Sequence, residues 1–183
     1  MRSIISKLPT RRNYRRGRQS VEKGYPWLTY GAIIALEQTI SKDFRIIEMG
    51  CGGSTIFFSR RAKSVKTYDY SLDWINKVKE GLGENSNVEF IHGDREEFYE
   101  LVAQESDEFY DLALVDIGAD RSGVVGRDHY AKALVSKIRR GGYLVIDNYT
   151  KYYVNEFNFT GFNVFTFDDL NYDGRGTKIG IKL

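Results

Sequence analysis

Arg45-Ile46-Ile47-Glu48-Met49-Gly50-Cys51-Gly52-Gly53-Ser54-Thr55 is a short apolar run that ends around an acid, breaks into glycines and restarts behind two hydroxyl residues. The order reads as a strand, a tight turn and a helix N-terminus. Glycine supplies the backbone freedom for the turn, and the free N–H groups of the first helical turn converge on whatever lies in front of them. Nineteen residues after Gly50 the next apolar strand ends at Asp69, where an acid hydrogen-bonds the ribose in βαβ nucleotide sites. The stretch predicts a site for a nucleoside-containing cofactor.

Strand and helix patterns alternate from residue 25 onward with no internal repeat. Thr29 is placed to cap a helix running to about Ile40, and the strand Arg45–Met49 feeds a helix near Ser54. A second strand, Val65–Asp69, leads to Ser71 as the cap of a helix whose Trp74, Ile75 and Val78 share one face. Val88–His92 is a third strand and ends in Gly93-Asp94. The nearly all-apolar Leu112–Asp116 has the composition of a strand buried on both faces. Tyr130, Leu134 and Ile138 at four-residue spacing predict a helix that Gly141-Gly142 ends, with a fifth strand at Tyr143–Ile146. Such alternation means a parallel sheet with right-handed crossovers, an α/β three-layer sandwich of Rossmann-like form.

The C-terminus departs from the alternation. Asn163–Phe167 and Thr177–Lys182 are strand-like runs separated by nine turn-prone residues, Asp168 to Gly176. A parallel crossover needs about a dozen or more residues, so these two strands should pair antiparallel. A symmetrical dinucleotide-binding fold would continue with another βαβ unit.

At 183 residues and 42% apolar content the chain fits one domain with a substantial core. The single cysteine, Cys51, excludes an internal disulfide framework and a multi-cysteine zinc site. No apolar run reaches the roughly 18 residues of a membrane span, and a cytoplasmic location is the expectation. Net charge is +2, unevenly spread: residues 1–23 hold eight Lys and Arg against one acid, and the other 160 hold 19 against 24. The first 23 residues therefore read as a basic arm, with Arg11, Arg12, Arg15, Arg16 and Arg18, ahead of a domain spanning 24–183. Like-charge runs of this kind are usually solvated and flexible, and this one also suits nucleic acid or another polyanion. An Arg-rich, acid-poor start is similar to an organelle transit peptide as well.

Two cofactor chemistries use such a glycine turn. A nicotinamide dinucleotide presents an anionic pyrophosphate and favours G-x-G-x-x-G. Here the third glycine position is Thr55, and Glu48 beside the turn would repel a pyrophosphate. S-adenosylmethionine carries a sulfonium and an ammonium instead, and Glu48, Asp69, Asp94 and Asp116 match that charge. Ile46 to Thr55 also resembles the first motif of class I S-adenosylmethionine-dependent methyltransferases. The resemblance spans about residues 25–182. It takes in Pro-Trp-Leu-Thr before the first strand, Tyr68-Asp69, Gly93-Asp94, Asp111-Leu-Ala-Leu-Val-Asp116 and Gly142-Tyr-Leu-Val-Ile-Asp-Asn148 in order. It implies a seven-stranded sheet with a reversed C-terminal strand. It further implies cofactor contacts from Glu48 (methionine amino group), Gly50, Gly52, Ser54, Thr55, Asp69 (ribose), Tyr70 and Asp94 (adenine), with Asp116 under the transfer centre. Ser54 stands where many members have a third glycine, and its hydroxyl is compatible with capping the helix. Gly93-Asp94 is equally an ordinary turn and N-cap.

Methyl transfer to a hydroxyl needs a positioned nucleophile and a destination for its proton. Asp116 after the fourth strand, and Asp147 with Asn148 after the fifth, form an all-oxygen trio suited to Mg²⁺ or Ca²⁺. The trio resembles the metal site of catechol and caffeoyl-CoA O-methyltransferases, a likeness that extends to Asp120-Arg121 and the following helical Tyr. His129 is the general-base candidate, with a capping role as the plainer reading, and His92 lies beside the expected adenine site. Arg121 and Arg127 suit an anionic acceptor or a solvated loop, and Tyr25 and Trp27 suit an acceptor wall or an aromatic staple. The Asp/Asn-Pro-Pro-Tyr/Phe signature of base N-methylation is replaced by Asp116-Ile-Gly-Ala.

The expectation is an S-adenosylmethionine-dependent O-methyltransferase with a small-molecule or saccharide acceptor, Asp116, His129 and Asp147 as catalytic candidates, and Mg²⁺ as an added cofactor. The alternatives are a non-catalytic cofactor-binding or assembly protein and an NAD-dependent oxidoreductase.

Overall fold

The computed structural model describes residues 20–83, 87–118, 126–149, 157–168 and 176–183. Most of the basic arm, Asp120-Arg121 and most of the loop after Asp168 lie outside the described residues. The strands are β1 Arg45–Met49, β2 Ser64–Asp69, β3 Val88–His92, β4 Tyr110–Val115, β5 Ile138–Asp147, β6 Phe162–Phe167 and β7 Thr177–Lys182. The helices are α1 Ser20–Lys23, α2 Tyr30–Thr39, α3 Gly53–Ser59, α4 Leu72–Leu82, α5 Arg95–Gln104 and α6 Arg127–Leu134.

The strands form one sheet in the order β3-β2-β1-β4-β5-β7-β6. The first five run parallel, β7 is antiparallel to β5, and β6 is antiparallel to β7. This is the reversed strand expected from the nine-residue gap. β7 sits between β5 and β6, so the last strand in sequence is the last but one in the sheet.

Alternation along the central strands divides the core between the faces. Ile47, Met49, Ala113 and Val115 pack with Phe98 and Val102 of α5 and with Tyr130, Ala131 and Leu134 of α6. Ile46, Leu112 and Leu114 meet Ile33 and Leu36 of α2 and Phe57 and Phe58 of α3. On the α3 side a smaller cluster joins Ile56 to Ile75 and Val78 of α4, and Val21 of α1 belongs to it. The last residues of the basic segment are thus part of the packed body. Among the described residues no helix is long and apolar enough to cross a membrane.

One element differs from expectation. The helix ends at Leu134, and Ile138 begins β5 opposite Tyr110 rather than completing a helical row. Gly141-Gly142 lies inside the strand. Between the pairs Tyr110–Ile138 and Leu112–Tyr143 a single β4 residue faces four β5 residues, a bulge that Gly141 turns with φ +73°. Ile138 still packs in the cluster of Tyr130 and Leu134. The apolar spacing identified the shared core but not the change of backbone.

Candidate functional site

The β1–α3 turn is built by two glycines with different constraints. Gly50 has φ +95°, and a Cβ there would come within 2.9 Å of the Ile117 backbone, so the turns after β1 and β4 cross only because this residue has no side chain. Gly50 N–H donates to Tyr68 O at 2.8 Å and Asp116 N–H to Met49 O at 2.9 Å, which fixes the three strand ends together. At Gly52 a Cβ would meet nothing nearer than Trp74 Nε1 at 3.9 Å, so its missing side chain leaves open space in front of α3.

Behind the turn, Glu48 is fully buried and receives the hydroxyls of Ser54 and, at 2.6 Å, Thr55. Thr55 Oγ1 also accepts the Gly52 N–H at 2.8 Å. The hydroxyl at the third-glycine position therefore secures the helix start. Burial pushes the Glu48 carboxyl up to about 8, against the opposing effect of the Ser54 and Thr55 hydrogen bonds. Glu48 lies beneath the turn, not in the cavity wall.

In front of the turn, at the C-terminal ends of the parallel strands, is a cavity of about 500 Å³. Parallel sheets place ligands there, and the volume suits a small molecule. Of the residues singled out in the sequence, Gly50, Gly52, Ser54, Asp69, Tyr70, Asp116, Asp147 and Asn148 all line it. Asp69 accepts the Cys51 N–H on Oδ2 and the Ser71 N–H on Oδ1, both at 2.9 Å, which aims the carboxylate into the cavity. Burial raises the Asp69 pKa, and the two backbone N–H groups oppose the rise. Tyr70 is half-exposed, with the Arg95 guanidinium 3.9 Å from its ring centroid.

Other candidates fall outside this wall. Asp94 is exposed as the N-cap of α5, where its N–H donates to Glu97 Oε2 at 2.9 Å. His129 is half-exposed, and its Nδ1 accepts the Gly126 N–H at 3.3 Å, so it serves the start of α6. Neither His92 nor Tyr25 lines the cavity, whereas Trp27 does. Trp74 shares its helix face with Ile75 and Val78 as expected, and it also lines the cavity, where its Nε1 donates to Cys51 O at 2.6 Å. Its place in the first turn after the Ser71 cap was the available signal, since that turn faces the strand ends.

The floor is an ionic network. Arg127 is almost fully buried at the start of α6; its Nε donates to Ile117 O at 2.9 Å, Nη1 to Asp147 O at 2.5 Å and Nη2 to Asp116 O at 3.1 Å. Nη2 also lies 2.9 Å from Asp116 Oδ1, and Nη1 lies 3.9 Å from Asp147 Oδ2. Asp147 receives the Thr177 hydroxyl at 2.6 Å on Oδ1 and the Asn148 amide on Oδ2. Burial, followed by the Asp116 charge, raises the Asp147 pKa well above the usual carboxylate range. The trio expected to hold Mg²⁺ does not fit an ion as arranged: both Asp147 oxygens are engaged by donors, and a guanidinium occupies the position between the carboxylates. Among the described residues no group of three or more His, Cys, Asp or Glu is placed to hold a metal.

Sheet order, the reversed β7 and the cavity at the strand ends define the Rossmann-like fold of class I methyltransferases. Comparison with solved structures agrees. The chain is similar to a Staphylococcus aureus protein assigned as a caffeoyl-CoA O-methyltransferase, with 16% identity, TM-score 0.60, and 82% of this chain and 80% of that one covered. It is also similar to a tRNA (m1A58) methyltransferase from Aquifex aeolicus, with 18% identity, TM-score 0.63 and coverage of 87% and 69%. A third match is a Streptococcus mutans protein assigned as a methyltransferase and solved with S-adenosylhomocysteine, with 22% identity, TM-score 0.58 and coverage of 81% and 93%. No family model and no curated protein sequence matches the chain.

Proposed function

We propose that the chain is an S-adenosylmethionine-dependent methyltransferase acting on a hydroxyl of a small-molecule or carbohydrate-like acceptor. The observation that carries this reading is the gathering of Gly50, Gly52, Asp69, Tyr70 and Asp116 around one cavity at the strand ends. The space left open by Gly52 admits a ligand close to the backbone. Each Asp69 oxygen already accepts one backbone N–H and retains a lone pair for a ribose hydroxyl. Tyr70 presents its half-exposed ring to the adenine, and Trp74 and Trp27 wall the cavity. When bound, S-adenosylmethionine supplies an electrophilic methyl group whose carbon–sulfur bond breaks with the electron pair kept by sulfur. Asp116 accepts the hydrogen bond of the acceptor hydroxyl, aligns its oxygen and takes its proton as the new oxygen–carbon bond forms. Asp147, enclosed by Thr177 and Asn148, supports the floor rather than touching the acceptor.

The test is thermal unfolding with S-adenosylhomocysteine, S-adenosylmethionine and NADH, on wild type and Asp69→Asn. A ligand at about 100 times its dissociation constant adds roughly 2.7 kcal/mol. The expected result is stabilisation by the two sulfur compounds that is lost in the variant, followed by turnover on a panel of hydroxyl acceptors. Stabilisation by NADH alone would refute the reading. The panel includes tRNA, because the basic residues of segment 1–23 suit a polyanionic acceptor.

A further inference from the structure

We propose that Arg127 is the resident cation of this site, and that ligand binding and methyl transfer here need no divalent metal ion. The inference rests on the methyltransferase reading and adds to it how the acidic floor is neutralised. Asp116, Asp147 and Asn148 are the residue types of an oxygen-ligated metal centre, yet the space between the two carboxylates holds a guanidinium. Its Nη2 is 2.9 Å from Asp116 Oδ1 and its Nη1 is 3.9 Å from Asp147 Oδ2. Mg²⁺ or Ca²⁺ sharing these ligands would sit roughly 2.0–2.6 Å from their oxygens, in the place the guanidinium fills and against its charge.

Arg127 is committed to this place. Its contacts reach Ile117 O, Asp116 O and Asp147 O besides the carboxylates, so the planar donor fork is matched to the ends of β4 and β5. The arginine guanidinium is weakly hydrated, which suits a cation that is only 4% exposed. The Asn148 amide is turned to donate to Asp147, the opposite of what a metal ligand offers. These donors are used within the site, so Arg127 is a positioning residue. It holds the Asp116 carboxylate at the cavity edge and does not grip an anionic acceptor.

The experiment uses the full chain and two probes. Mn²⁺ is titrated while its free electron-paramagnetic-resonance signal is followed, and S-adenosylhomocysteine is titrated calorimetrically in EDTA and in excess Mg²⁺. For wild type the Mn²⁺ signal stays that of the free ion, and the S-adenosylhomocysteine dissociation constant changes by less than about twofold between the two buffers. In Arg127→Ser, which opens a cation-sized gap beside Asp116 Oδ1 and lets the Asn148 amide turn its oxygen toward it, Mn²⁺ binds stoichiometrically and raises the unfolding temperature. A role for Arg127 in folding alone would not confer that gain. Stoichiometric Mn²⁺ on wild type, or S-adenosylhomocysteine binding abolished by EDTA, overturns the proposal, as does a folded Arg127→Ser that takes no Mn²⁺. If that variant does not fold, the wild-type titrations decide. Wild type that binds no S-adenosylhomocysteine in either buffer refutes the methyltransferase reading, while the Mn²⁺ titration still decides the cation.

Discussion

At the scale of single residues, Glu48 combines a legible position with an unexpected task. Its place at the end of an apolar run before the glycines pointed to the cavity, and tertiary packing instead turned it under α3 to receive Ser54 and Thr55. The burial has a consequence for pH. Folded, the carboxyl keeps its proton to about pH 8, whereas the ordinary value is 4.5. Between those values the folded chain binds more protons than the unfolded one, so Glu48 makes stability fall as pH rises, by up to about 1.4 kcal/mol per pH unit. Glu48→Gln should therefore gain on wild type in unfolding free energy from pH 4.5 to 8, read by urea titration at each pH. A difference that stays flat over this range would refute the assignment. The place of Asp69 at the end of β2 was legible from its spacing, whereas its acceptance of the Cys51 and Ser71 N–H groups was not. Asp94 donates its own N–H to Glu97 and His129 accepts the Gly126 N–H, each at a helix start, and sequence alone does not say which side of the cap faces the cavity.

Elements were legible where the local pattern had one solution. β1 and β3 match the expected bounds, and Ser71 caps α4 through an N–H donated by Trp74 at 3.2 Å. Thr29 precedes α2 as expected, but it contributes its N–H to Thr177 Oγ1 and makes no side-chain cap bond. The α6–β5 boundary was not legible, because Ile138 satisfies helical spacing and strand burial equally. The Gly-Gly pair that reads as a helix stop is required inside the strand. A Cβ on Gly142 would lie 2.6 Å from Ile138 Cγ2 and 2.9 Å from both Arg139 O and Asp111 O. Gly142→Ala should cost about 1–3 kcal/mol of stability in chemical denaturation. A loss under about 0.5 kcal/mol would mean the bulge relaxes freely.

Over the whole molecule, one buried hydrogen-bond chain joins segments far apart in sequence. Thr29 N–H donates to Thr177 Oγ1 at 3.0 Å, Thr177 donates to Asp147 Oδ1 at 2.6 Å, and Asp147 O and Asp116 O both receive Arg127. The start of α2, the reversed β7 and the floor of the cavity are thereby coupled. Thr177→Val would strand the Thr29 N–H and remove a donor from Asp147, a loss of about 2–3 kcal/mol. Thr177→Ser should recover most of it, and equal losses for both variants would place the effect in packing instead.

The parallel sheet, the reversed final strand and the glycine turn with Asp69 across from it are written in the order of residues alone. Each follows from short-range physics: apolar periodicity, a gap too short for a crossover, and backbone freedom at glycine. It took packing in three dimensions to turn Glu48 inward, to place Trp74 in the cavity wall and to set Arg127 between Asp116 and Asp147. Those outcomes depend on which side chains fill the same few ångströms when β4, β5 and α6 close together, and that competition leaves no local signature in the chain.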